Sequence, residues 1–212
     1  AFVVRAPNGI RPGHFYIDHE VVAAASERAA LANVFNVDPD RIEPIKPGHV
    51  LTIKRGGDIR HEPFTEPREI RECTFERIYF SRGNDPDIYN ERKGLGRNLA
   101  PKVLEALNGD VDNAVFSFIP NTAESAYMGL IEESEHVIRH QREQQVWQAI
   151  ESGKVTREDV RPLVNRCVRM EKIAHKDQRL RTFITHDAAR HDLVVHIYDI
   201  TRGVVKPTDT LV

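Results

Sequence analysis

The chain has 212 residues, of which 40% are hydrophobic and 29% charged, a balance typical of a globular protein with one large or two small domains. This composition excludes a collagen-like repeat, a coiled coil and a disordered tail, and no apolar run is long enough for a membrane span or a signal peptide. The net charge of -2 gives no reason to expect nucleic acid or an anionic membrane as a partner.

The first seventy residues have the pattern of short strands separated by turns. Pro and Gly residues at 7–13 and 47–48 mark turns, and two glycines at 56–57 predict a hairpin. Charged residues with two prolines at 61–71 predict a linker or crossover. The expected elements are strands at 14–17, 21–25 and 49–54, and a helix at 29–35 for which Ser26 is the candidate cap.

The next sixty residues follow the order strand, helix, strand, turn, helix, which is typical of α/β proteins. Apolar residues at helical spacing predict a helix at 88–107. Gly94 and Gly96 lie inside it and lack the third glycine of a dinucleotide-binding fingerprint, so they indicate close helix packing. The other expected elements are strands at 75–80 and 113–119 and a helix that begins near residue 123.

Residues 132–178 are strongly charged and predict two helices joined by a short turn at Gly153. Thr156 and Asp159 resemble a capping box at the start of the second helix, with Asp where Glu or Gln is usual. Beyond this hairpin, β character returns with a strand expected at 193–198 and apolar runs at 204–205 and 211–212.

The turn Pro120-Asn121-Thr122 is the best candidate site from physical reasoning alone. It connects a predicted strand to a predicted helix, and ligands of α/β sheets bind at the carboxyl ends of strands. A helix that begins there offers free N–H groups to a phosphate. The excess of Arg over Lys, 22 against 8, is a weak further hint of phosphorylated ligands, and genomic base composition is the favoured explanation.

Several histidines and cysteines are candidates for metal binding or for nucleophilic chemistry. His136 and His140 are four residues apart on a predicted helix, a spacing that can bind zinc, but a solvated charged helix face is the interpretation that the sequence favours. The steps His186-Asp187 and His191-Asp192 occur in metal phosphohydrolases, but their spacing suits neither helix nor strand. Cys73 is a candidate nucleophile or a structural thiol, and neither it nor Cys167 belongs to a CxxC pair. No metal ligand is therefore assigned, and a reduced cytoplasmic protein is expected.

Eight segments, in order along the chain, resemble the amidophosphoribosyltransferase family, the glutamine phosphoribosylpyrophosphate amidotransferases. That family joins an N-terminal-nucleophile glutaminase to a type I phosphoribosyltransferase. The segments are RAPNGIRP at 5–12, VAAASER at 22–28, IKPGHVLTI at 45–53, CTFERIYFSR at 73–82, IYNERKGLG at 88–96, IPNT at 119–122, RTFI at 181–184 and RGVV at 202–205.

The resemblance implies an α/β (overall α+β) fold class with two parts. Residues 1–70 would form the end of the glutaminase sandwich with a linker, and residues 71–212 the first part of the phosphoribosyltransferase fold, with 132–178 as an inserted helical hairpin. It implies synthesis of 5-phosphoribosylamine from glutamine and phosphoribosyl pyrophosphate, the first step of purine nucleotide synthesis. It also implies magnesium as cofactor, small-molecule substrates, a homo-oligomer and the cytoplasm.

The residues implied for pyrophosphate binding are Asn121 and Thr122 in the turn and Arg181 in the family's flexible loop. Three features depart from the family pattern. The mature family begins with its catalytic cysteine, whereas this chain begins with Ala1 at a point that matches the late glutaminase. The phosphoribosyl-pyrophosphate loop would follow Val212. We therefore expect an internal fragment with no catalytic residue of its own. Ala123 stands where the family has a metal-binding serine.

Two alternatives to a catalytic fragment remain open at this stage. A non-catalytic phosphoribosyltransferase-like binding or regulatory protein is favoured by Ala123 and by the absence of the family's basic run after Arg181. A structural module built on the charged hairpin is the other. Cys73 matches one ligand of an iron–sulfur cluster that some relatives hold, but the other ligands have no counterpart in this sequence, so no cluster is expected.

Overall fold

The computed structural model describes residues 1–153, 155–176 and 194–212. Its internal contacts divide the chain into two compact units, Ala1–Tyr89 and Asn90–Val212. The domain boundary expected from the linker composition, at residues 70–71, stays a prediction. In the described part of the chain, no helix is long and apolar enough to cross a membrane.

The first unit contains two antiparallel sheets of three strands each. In one sheet β5 lies between β1 and β6, and in the other β2 lies between β3 and β4. The hairpin predicted at residues 56–57 is confirmed, because it connects β5 to β6. The strands are β1 Phe2–Val4, β2 His14–Ile17, β3 Val22–Ala25, β4 Glu43–Pro44, β5 His49–Ile53 and β6 Ile59–Pro63.

Strand β2 separates two apolar clusters because successive side chains of a strand point to opposite faces. Phe15 packs with Ile45 and Leu51. Its neighbour Tyr16 packs with Leu31 of helix α1 (Arg28–Phe35) and with Ile42, which follows a 3-10 turn at Pro39–Arg41. The helix is where the sequence predicts it, but Ser26 is not its cap: the capping position is Glu27, and no side chain accepts a hydrogen bond there.

The strand predicted at residues 75–80 is wrong. Glu76–Phe80 form a π-helical turn, and the ring of Phe75 stacks on Tyr79 and lies edge-on to Phe80. Helical winding brings these aromatic rings together on one side, whereas a strand would point neighbouring rings to opposite faces. Short apolar runs are ambiguous between strand and helix, and here the contacts between rings accompany the helical form.

The second unit is built around a parallel sheet of three strands. Its middle strand β7 (Ala114–Phe116) is paired with β8 (Arg169–Met170) on one side and β11 (Thr210–Leu211) on the other. All three residues of β7 are buried, as expected for a strand covered on both faces. The α/β character predicted from the sequence is confirmed.

Helices α2 (Pro86–Ala106) and α3 (Glu124–Glu151) approach each other closely through two glycines. A β-carbon on Gly96 would overlap the carbonyl of Ala126, and one on Gly129 would overlap the carbonyl of Lys93. The prediction of close packing is therefore confirmed for Gly96, whereas a β-carbon on Gly94 would meet open space.

The charged hairpin consists of α3 and α4 (Arg157–Asn165), and its helical part ends earlier than residue 178. Thr156 caps α4 through a reciprocal capping box with Asp159, as the sequence predicts. After α4 the chain enters β8 and then β9 (Ala174–Lys176), so the last part of the predicted insertion is β structure.

The long helix α3 is buried along its first half and exposed along its second. Gly129, Leu130, Ile131, Ser134 and Ile138 are its buried residues, and most of them belong to the core of the second unit. Beyond Ile138 its residues are half-buried or exposed.

A two-stranded antiparallel ribbon completes the second unit. It pairs β9 with β10 (Tyr198–Ile200). The strand predicted at residues 193–198 is only partly right, because 194–197 are helical and the strand begins at Tyr198. Residue 193 lies outside the described residues.

Candidate functional site

The turn at residues 117–123 lies at the carboxyl end of β7, the middle strand of the parallel sheet. It leads directly into the first turn of α3. The structure therefore confirms the strand–turn–helix arrangement on which the sequence prediction depends. At this position the carboxyl edge of a sheet and the amino end of a long helix meet, which is where α/β proteins bind anionic ligands.

Asn121 and Thr122 occupy the middle of this turn. Asn121 is exposed and Thr122 is half-buried, and the peptide bond between Pro120 and Asn121 is cis. The Asn121 carbonyl accepts a hydrogen bond from the N–H of Glu124 at 3.3 Å. The amide of Asn121 and the hydroxyl of Thr122 are both groups that can donate to phosphate oxygens.

The start of α3 has no side-chain cap. Ala123 is the capping residue, and its methyl group cannot accept a hydrogen bond from the N–H groups of the first turn. Since these N–H groups carry the positive end of the helix dipole, an anion that binds at the turn can take the place of a cap. Glu124 in the first turn places a negative charge at this helix end. Its repulsion reduces the attraction of the N–H groups for an anion.

Both ends of the turn are held by hydrogen bonds. The Phe116 carbonyl accepts from the N–H of Glu171 at 3.0 Å and from the Tyr127 hydroxyl at 3.2 Å. The Ser117 hydroxyl oxygen accepts from the N–H of Ile173 at 3.3 Å. These bonds fix the strand end and the first turn of α3 relative to each other, so the position of Asn121 and Thr122 is determined by the core.

Tyr127 also packs its ring against Phe118, with centroids 4.8 Å apart. Burial raises the pKa of its phenol, and the nearby charge of Glu171 raises it further. The hydroxyl therefore stays protonated at neutral pH and can donate to Phe116. Sequence reasoning did not identify Tyr127, Ser117 or Glu171, because their contacts join segments that are distant in the chain.

Arg181, the third residue implied for pyrophosphate binding, lies outside the described residues. The same holds for His186, Asp187, His191 and Asp192. The structure does describe the two strands on either side of that segment: β9 and β10 form the ribbon, and the N–H of Thr201 donates to the Ile173 carbonyl. Ile173 is also the residue that donates to Ser117, so the base of the ribbon lies at the same sheet edge as the turn.

The first unit contains a cavity of about 260 Å³ lined by both charged and apolar side chains. Arg28, one of its lining residues, binds both carboxylate oxygens of Asp85 at 2.7 and 2.8 Å and reaches Asp87 at 2.7 Å. The hydrogen bond to Asp85 raises the pKa of Arg28. Burial opposes ionisation of Asp85, but the contact with Arg28 keeps the pKa of that carboxyl below its usual value.

Other charges of this cavity are paired in the same way. Arg82 lies 3.8 Å from Glu27, and Arg77 lies 3.5 Å from Glu72. Because acidic and basic side chains neutralise each other around the cavity, its walls offer no net positive field for an anion. The turn at 117–123 is thus the better candidate for a phosphate, and the cavity is a structural feature of the first unit.

Cys73 and His14 also line the cavity. Cys73 is half-buried, and Cys167, in the other unit, is exposed. Burial lowers the pKa of His14, which is neutral at physiological pH as a result, and its buried Nδ1 has no hydrogen-bond partner. In the described part of the chain, no three His, Cys, Asp or Glu side chains are grouped to hold a metal ion.

The comparisons with known proteins give similarity to solved structures only. A scan against models of protein families finds no match, and a search of curated proteins finds none. The fold is similar to that of glutamine phosphoribosylpyrophosphate amidotransferase from B. subtilis, solved as a complex with ADP and GMP. The TM-score is 0.59 at 24% sequence identity, over 97% of this chain and 37% of the solved chain.

This chain thus spans little more than a third of the solved enzyme. At this level of identity the similarity shows the fold alone. The aligned region includes residues of both units, since it covers 97% of this chain.

Proposed function

We propose that the protein is a glutamine-dependent amidotransferase that uses phosphoribosyl pyrophosphate, and that the turn at 117–123 binds the pyrophosphate group. The observation that carries this proposal is the position of the turn, between the middle strand of a parallel sheet and an uncapped helix. The similarity of the fold to a phosphoribosylpyrophosphate amidotransferase supports it. The residues quoted above from eight segments support it as well.

In this proposal the chain's own residues bind and orient the leaving group. The N–H groups at the start of α3, the amide of Asn121 and the Thr122 hydroxyl donate to pyrophosphate oxygens. Charge-assisted bonds of this kind are stronger than neutral ones. Arg181 is proposed as an additional clamp, which would act by a bidentate contact.

Magnesium is implied by the family resemblance, but the residues at the turn do not fit a magnesium site of their own. Ala123 has no side-chain oxygen where a serine ligand would stand. Among the described residues, no three His, Cys, Asp or Glu side chains are grouped to hold a metal ion. We therefore derive no step through magnesium.

We propose that the first unit is the C-terminal part of a glutaminase domain. Hydrolysis of glutamine is not assigned to any of its residues: Cys73, its one cysteine, is half-buried in a cavity wall. In the whole protein, nitrogen from glutamine would displace pyrophosphate from the ribose carbon and yield 5-phosphoribosylamine.

The binding part of the proposal is tested by titrating the full chain with phosphoribosyl pyrophosphate in a calorimeter. We expect Asn121→Ala and Thr122→Val each to weaken binding about tenfold, which corresponds to about 1.4 kcal/mol. Thr208→Val is the matched control, since Thr208 is exposed and precedes β11 at the opposite edge of the parallel sheet. Equal affinities for all three variants would contradict the assignment of the turn.

The catalytic part is tested on the gene product isolated from cells, by measuring pyrophosphate release that depends on glutamine. A second candidate, a binding or regulatory protein without catalysis, is favoured by Ala123 at the start of α3. It predicts that phosphoribosyl pyrophosphate binds at the turn but that no pyrophosphate is released. Binding with release supports the enzyme.

A further inference from the structure

We propose that His136 and His140 form a bidentate binding site for a divalent transition metal of the zinc, copper and nickel class. The site lies on the exposed face near the middle of α3, on either side of Ile138. It is independent of the turn at 117–123 and does not depend on the proposed function.

The backbone geometry for a chelate is present. His136 and His140 both lie within the continuous helix Glu124–Glu151, and residues four apart project from the same face of a helix. Both side chains are exposed, so a hydrated ion can reach them without any change in the fold. The sequence alone left open whether this segment is helical at both positions, and the structure resolves this.

His140 has two long contacts on the side of α3 away from His136. Its Nδ1 lies 3.9 Å from a carboxylate oxygen of Glu143, and its Nε2 lies 3.5 Å from the amide nitrogen of Gln144. All three side chains are exposed, so the imidazole can exchange these contacts for a metal ion shared with His136. A carboxylate beside a histidine is a usual arrangement around metal-binding imidazoles.

Nearby carboxylates do not turn this into an oxygen site. Glu132, one turn before His136, is bound by Lys93 and by Arg97, the latter at 2.9 Å, so its charge is already compensated. Two imidazoles with water in the other positions select zinc, copper or nickel over magnesium or calcium. With two protein ligands instead of the four of structural zinc sites, binding is expected to be reversible.

The chain's one tryptophan provides a local probe for this site. Trp147 is exposed and lies seven residues after His140 in the same helix, about 10 Å along the helix axis. Copper(II) bound at the histidines should quench its fluorescence. The full chain is titrated with copper(II) chloride, and EDTA is then added to remove the bound ion.

We expect His136→Gln and His140→Gln each to raise the copper concentration for half-quenching at least tenfold. His19→Gln should leave it unchanged, because His19 is equally exposed but belongs to the first unit. Glutamine is a good helix former, and circular dichroism checks that the helix content is preserved. Recovery of fluorescence on adding EDTA supports reversible binding, and weaker quenching at pH 5, where protons compete for imidazole, supports imidazole ligands. Quenching that is the same in His136→Gln and His140→Gln as in the wild type would overturn the proposal.

Discussion

The two halves of helix α3 differ in what surrounds them, although they belong to one uninterrupted element. In the first half Ile138 is 1% exposed and packs in the core, and Gly129 touches the backbone of α2. In the second half Trp147 is 59% exposed, and the hydrogen bonds of Arg142 to the carbonyls of Val164 and Arg166 attach it to the end of α4.

The two halves of α3 therefore contribute differently to the stability of the fold. The first half is fixed by the core of the second unit, and it positions the turn proposed to bind pyrophosphate. The second half contributes little buried apolar surface, so its side chains are available for other interactions. Substitutions in the two halves should therefore have different effects on the free energy of unfolding.

The largest effect is expected where α2 meets the first half. Gly96→Ala would place a β-carbon on the Ala126 carbonyl, and the two backbones would have to separate. We expect a loss of about 4 kcal/mol in the free energy of unfolding. Gly94→Ala, two residues away with open space around it, should instead raise that free energy by about 1 kcal/mol through helix propensity. Urea unfolding of both variants measures the contrast, and equal losses would show that the close approach is not formed.

A second comparison uses one substitution in both halves. Ile138→Ala removes a fully buried side chain and should cost about 3 kcal/mol. Ile150→Ala removes a side chain that is 46% exposed and should cost less than about 1 kcal/mol. Thermal unfolding of the two variants checks the difference. A large loss for Ile150→Ala would mean that the second half is packed against something after all.

The smallest effect is expected for the ion pairs of Glu132 at the end of the contact with α2. A hydrogen bond from Lys93 and, to a smaller extent, one from Arg97 lower the pKa of Glu132 in the folded state. A carboxyl with a lowered pKa stabilises the fold above its unfolded pKa, and this contribution is lost as pH falls through the folded pKa. The unfolding temperature of Glu132→Gln should therefore be lower than that of the wild type at pH 7 and converge with it on acidification. A difference that persists at pH 3 would contradict this.

The sequence predicts the elements of the second unit better than their contacts. The helix expected at 88–107 is Pro86–Ala106, because its apolar residues repeat over five turns. The stretch at 75–80 is a π-helical turn because a run of six residues is too short for its period to distinguish a strand from a helix. The sequence identified Gly96 as a packing glycine, but its partner, the carbonyl of Ala126, lies thirty residues further along the chain.

At the candidate site, too, the sequence predicts the elements but not the contacts between them. The positions of Asn121 and Thr122 follow from the order strand, turn, helix, which local patterns indicate. The bonds from Tyr127 and Ile173 that hold the turn depend on which segments the fold brings together. A single sequence does not contain that information.

The hydrogen bonds that the Phe116 carbonyl accepts restrict where the length of this chain can change. The hydroxyl of Tyr127 ties the end of β7 to the first turn of α3, and this tie sets the span that the residues between them must bridge. An inserted or deleted residue there would either break the tie or displace the helix. In the connection between α3 and α4, Gly153 adopts a left-handed conformation and has open space around it. The described residues of this connection form no hydrogen bond to a strand. Natural relatives should therefore keep the length of the first connection and vary in the second.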